Sequence, residues 1–122
     1  MLDSPFGALV GHELDMVSFV RDYVELRIDY SIVRLLTDPS GSIDGDTWSL
    51  TDSTGADRLR SYIGRTVIAT DFDQASHLRL DFDGEATICA SLRDEDRTGP
   101  EALHFMPADA KGQVHSGTMH IW

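Results

Sequence analysis

Carboxylates supply the densest chemistry in this sequence. Asp71, Asp73, Asp81, Asp83 and Glu85 fall within one short stretch, relieved by Arg79 alone. Side chains on a strand alternate between two faces, so acids at this spacing crowd and repel unless a cation or a basic partner neutralises them. The chemistry on offer is electrostatic docking of a basic protein. Tyr23, expected to point outward on an earlier strand, adds an aromatic interface anchor. The competing reading of the acids is an ordinary solvated face. Trp48, Tyr30 and Trp122 are the other large amphipathic aromatics, and core filling is the stronger expectation for Trp48.

Other chemistries find less support. Asp38, Asp44 and Asp46 could meet Ca²⁺ with carboxylates and loop carbonyls, but the spacing of a calcium-binding helix–loop–helix is absent. Five histidines raise the question of a metal. His115 and His120 would lie on opposite faces of a regular strand, and His104 could join them only through tertiary folding. Neither a CxxC nor an HExxH pattern is present, so no metal and no cofactor are expected. Cys89 sits between Ile88 and Ala90 in a predicted strand. Its acidic setting would raise a thiol pKa, which suits a structural side chain rather than a nucleophile. G-x-S-x-G, the P-loop and G-x-G-x-x-G are all missing. No catalytic residue is assigned, and an enzyme is the less favoured class.

Composition narrows the partner. Twenty-one acids against ten bases give a formal charge of −11. Phosphate binding needs clustered Lys and Arg, so neither nucleic acid nor an anionic membrane is expected as a partner. The 122 residues fit a single domain over 1–122 with one ordinary core. One cysteine gives no disulfide framework, the first residues lack a secretory pattern, and no run reaches ~20 apolar residues. A cytoplasmic location is the expectation. Asp outnumbers Glu sixteen to five. Asp favours turns and caps over helix interiors, which implies many turns and few long helices.

The elements that must position these residues read as two copies of one β unit, about 10–37 and 63–92. Gly11 matches Gly64, Leu14 matches Val67, and Phe19 matches Phe72. With one residue inserted, Val24, Leu26, Ile28 and Asp29 match Leu78, Leu80, Phe82 and Asp83. Each unit predicts a three-stranded antiparallel meander whose middle strand alternates cleanly. Asp83-Gly84 is a strong hairpin turn, and Asp29-Tyr30-Ser31 a weaker one. The first strands, near 13–20 and 66–73, mix parity, which predicts a bulge or burial on both sides. Between the units lie the turn residues Asp38 to Ser42 and Asp44 to Asp46, then a short strand at Trp48–Leu50. A two-turn helix follows over Ala56–Ile63, with Leu59, Tyr62 and Ile63 as its buried stripe and Gly64 as its stop. A helical turn starting at Pro100 and a closing strand within 113–122 complete the chain. The fold class is α+β, mostly β: two pseudo-symmetric meanders, one short helix between them and a C-terminal strand.

The segment Phe19-Val20-Arg21-Asp22-Tyr23-Val24-Glu25-Leu26, with Ile63-Gly64-Arg65-Thr66-Val67, Leu78-Arg79-Leu80-Asp81-Phe82-Asp83 and Gly99-Pro100-Glu101-Ala102, resembles a small bacterial family of unknown function. The resemblance covers most of residues 10–103 and implies no activity. The leading functional expectation is a non-enzymatic acidic binding protein, most concretely an immunity-type inhibitor of a basic toxin. The rivals are a homo-oligomeric structural module, such as a homodimer through an edge strand at 113–122, and a small-ligand or enzyme site between the meanders.

Overall fold

Alternation of apolar and polar side chains drives most of this chain into strands. The structure, a computed structural model, describes residues 4–108 and 119–122. The first unit holds β1 (Leu14–Val20), β2 (Tyr23–Ile28), β3 (Ser31–Leu35), β4 (Ser40–Ile43) and β5 (Asp46–Ser49). The helix α1 (Gly55–Arg60) follows. The second unit holds β6 (Val67–Asp73), β7 (His77–Phe82), β8 (Ala86–Ser91), β9 (Leu103–Met106) and β10 (His120–Ile121).

The two expected meanders are β1–β2–β3 and β6–β7–β8. Val24, Leu26 and Ile28 are buried in β2, as are Leu78, Leu80 and Phe82 in β7. The mixed parity of the first strands has its physical cause in a register shift at matching places. It falls between Leu14 and Met16 in β1 and between Val67 and Ala69 in β6. The β2–β3 turn is Asp29-Tyr30, with φ of +47° and +74°. That is the mirror-image geometry a two-residue hairpin needs, reached here without glycine.

Each sheet has five strands rather than three, in the orders β1-β2-β3-β9-β10 and β5-β4-β8-β7-β6. The hairpin β4–β5 leaves its own meander and pairs with β8 of the other. The strands β9 and β10 do the reverse and pair onto β3. This reciprocal exchange is an intrachain counterpart of domain swapping. Short strands rich in Ser and Gly carry little hydrophobic pattern, so Asp38–Ser42 reads as turn in sequence while 40–43 is a strand. Gly41 is required there. A Cβ at that position would sit 2.0 Å from the Thr87 carbonyl oxygen and 3.0 Å from the Trp48 ring.

The two units meet around an approximate two-fold. Gly11 N–H donates to Val67 O and Gly64 N–H to Leu14 O, both at 2.8 Å. Leu14 N–H donates to Arg65 O and Val67 N–H to His12 O, both at 2.9 Å. The antiparallel bridge between Glu13 and Thr66 joins residues that are each other's counterparts. The same relation places Phe6 and Leu9, in a 3-10 turn over Pro5–Leu9, opposite Leu59 and Tyr62. All four are buried in one core that both sheets share.

Two local expectations are corrected. The helix is six residues long, and Ile63 lies beyond it with 47% of its surface exposed. Leu59 is therefore the large side chain that the helix buries, and Tyr62 is buried just beyond its end. Pro100 starts no helical turn, because Leu103–Met106 is held extended by pairing with β3. The helical turn in that region is a 3-10 turn over Asp94–Asp96. Of the expected closing strand, β10 is present, and residues 113–118 lie outside the described residues. No helix among the described residues is long and apolar enough to cross a membrane.

Candidate functional site

The β6–β7 pairing decides what the five predicted carboxylates do: it brings Asp71 and Asp81 together around Arg79 and spreads the others to the two ends of the hairpin. Asp71 and Asp73 lie at the end of β6 beside His77, whereas Asp83 and Glu85 lie at the other end of β7. Four of the five are engaged locally. His77 Nε2 is 2.9 Å from Asp71 Oδ2. Ala75 N–H donates to Asp73 Oδ1 at 2.9 Å, and Thr66 N–H donates to Asp83 Oδ1 at 2.8 Å. Arg79 grips Asp81 through Nε and Nη2 at 3.0 and 3.1 Å. That two-point bond holds the guanidinium above its ordinary pKa. Glu85 is exposed in the β7–β8 turn, at a φ of +58°. Exposed pairs of this kind contribute little to stability, but they do occupy the acids.

Cys89 stands across from Arg79 on β8 and is half-buried. Burial pushes its thiol pKa up, which keeps it protonated at neutral pH. Among the described residues no group of three metal-ligating side chains forms. Asp44 occupies the β4–β5 turn and Asp46 pairs with Arg58 at 3.4 Å. His115 lies outside the described residues. His104 is buried on β9 beside Arg34 and Glu101. Arginine can only donate, so His104 Nδ1 accepts from Arg34 at 3.2 Å and the ring proton sits on Nε2, facing Glu101. Arg34 also grips Glu25 at 2.7 Å and covers the Tyr23 ring at 4.8 Å.

Tyr23 also lines a cleft of about 550 Å³ at the end of the first sheet; a second recess of about 560 Å³ lies between Gln74-Ala75 and Leu92–Arg97. The apolar lining of the Tyr23 cleft comes from Phe19 and Val20 of β1, Val24 and Leu35 of the paired strands β2 and β3, and Leu36 and Leu50. Its rim is acidic. Asp22 comes from the β1–β2 turn, Asp38 from the stretch after β3, and Asp96 from the 3-10 turn after β8; Arg21 is the one base. Asp96 accepts from Ser91 Oγ at 2.6 Å. Neither Asp22 nor Asp38 has an ion-pair partner among the described residues. Sequence reasoning named Tyr23 as an outward anchor but not at this cleft, took Asp38 for a turn residue, and did not single out Asp22 or Asp96. No local signal marks them, because three distant segments converge only once β4–β5 has crossed to the second sheet.

No family model matches the chain, and neither a curated protein nor a solved structure matches it.

Proposed function

We propose that this chain is a non-enzymatic acidic binding protein for a basic protein, acting in the cytoplasm, with an immunity-type inhibitor of a basic toxin as its most concrete form. The observation that carries this reading is the cleft, where an apolar floor meets Asp22, Asp38 and Asp96 with only Arg21 against them. Apolar recesses ringed by charge suit an anchor side chain plus electrostatic complementarity. The net charge of −11 adds a long-range field that speeds the approach of a basic partner. The β6–β7 carboxylates support it less, because four of the five are bonded locally.

The test is capture from a lysate of the source cell, washed at low and then high salt. Wild-type chain should retain a basic protein that high salt releases. The triple substitution Asp22→Asn, Asp38→Asn and Asp96→Asn should lower retention at least tenfold. Asp81→Asn with Asp83→Asn should lower it less. Retention that ignored both salt and the cleft substitutions would refute the proposal.

A further inference from the structure

The approximate two-fold says what the cleft is shaped for. In the second unit, Phe72 packs against Phe6 at 5.0 Å and edge-on against Trp122 at 4.9 Å, with Trp122 5.4 Å from Phe6. The counterpart of Phe72 is Phe19, and that of Phe6 is Leu59. The counterpart of Trp122 is Leu50: each follows the last strand of its unit, and each donates its N–H to the strand alongside. Leu50 donates to Pro39 O at 3.0 Å, and Trp122 to Leu103 O at 2.9 Å.

Two aromatic rings are therefore replaced by leucines at the first unit's end. Phe19 keeps neither ring partner; it is 38% exposed, with the Arg60 guanidinium at 4.9 Å over one face. The cleft opens beside Phe19 and Leu50, where the other unit holds an indole. We infer that the cleft is a seat for an aromatic side chain that a basic protein partner presents beside positive charge, deepening the binding reading on which it rests. The partner's ring would meet Phe19 edge-on above Leu50, as Trp122 meets Phe72, and its cationic neighbours would meet Asp22 and Asp38.

Three capped tripeptides test this against the full chain, with backbone amide NMR shifts as the readout: Lys-Trp-Lys, Lys-Leu-Lys and Glu-Trp-Glu. Lys-Trp-Lys should saturably shift the Phe19 and Leu50 amides, and the other two should bind at least tenfold more weakly. Leu50→Trp supplies the missing indole from within, so it should abolish Lys-Trp-Lys binding while the thermal midpoint holds or rises. Should that variant not fold, Leu50→Phe gives the same reading with less added volume. Equal binding of the Trp and Leu peptides would overturn the seat, as would undiminished binding to a folded Leu50→Trp chain. Cleft shifts that grow with protein concentration alone would also overturn it, assigning the cleft to a second copy. Capture of a basic protein without binding of Lys-Trp-Lys sinks the aromatic seat and leaves the acidic binding reading standing. Binding of Lys-Trp-Lys without any captured protein supports the seat and sinks that broader reading.

Discussion

At Trp48 and Tyr62 two polar aromatics meet inside the core beneath the second sheet. Trp48 Nε1–H donates to the Tyr62 hydroxyl at 2.9 Å. That hydroxyl lies 2.9 Å from Ser42 O and 2.6 Å from Thr87 O, and it can donate to one of them at a time. A single oxygen thus ties the segment after α1 to β4, β5 and β8. Tyr62→Phe would leave the Trp48 N–H without its acceptor and should cost about 1–3 kcal/mol, read as a lower urea midpoint at unchanged slope. Burial raises the Tyr62 pKa above its ordinary value. A phenol that holds its proton more tightly when folded gives stability that is complete below the unfolded value and falls as pH rises through the folded one. Wild-type stability should therefore decline above pH ~10, and Tyr62→Phe should lose that part of the decline. At this scale the sequence was partly legible. Trp48 is in the core, as its large aromatic side chain implied, and Cys89 is half-buried, as its place between Ile88 and Ala90 implied. The bonds that occupy Asp73 and Asp83 were not legible, because they depend on which backbone N–H the pairing register brings near.

Among the elements, the middle strands are the most legible and the most sensitive to change. Leu80 lies at the centre of β7, flanked by β6 and β8, and is fully buried. Leu80→Asp places a charge in that core and should cost more than about 4 kcal/mol, so the variant should lack a cooperative thermal transition. Retention of the wild-type midpoint would mean that the facing of β7 is wrong. A period-two pattern over six residues specifies facing without further help. The four-residue strands are a different case. β4 has Ser, Gly and Ser before its one buried Ile43, and β9 follows Gly99-Pro100 with no alternation, since Leu103, His104 and Phe105 are all buried. Their extended form comes from the partner strand, so local propensity at Pro100 pointed to a helix and was overridden.

For the whole molecule, the exchange of hairpins has a thermodynamic consequence. Each sheet contains strands from both units, so neither unit can keep a complete sheet alone. Urea unfolding followed by far-UV circular dichroism and by tryptophan fluorescence should give coincident transitions, as expected for one cooperative body. Two separated transitions would mean that the units unfold independently. The sequence by itself determined the acidic charge, the two meanders, the inward faces of their middle strands and the mostly β class. These follow from residue type and from periodicity within a few positions. Only the tertiary structure decided where β4–β5 and β9–β10 pair, and hence that Phe19, Leu50, Asp22, Asp38 and Asp96 border one cleft. Those residues are far apart in the chain. What brings them together is the burial of both sheets in one core, a global condition that no local pattern encodes.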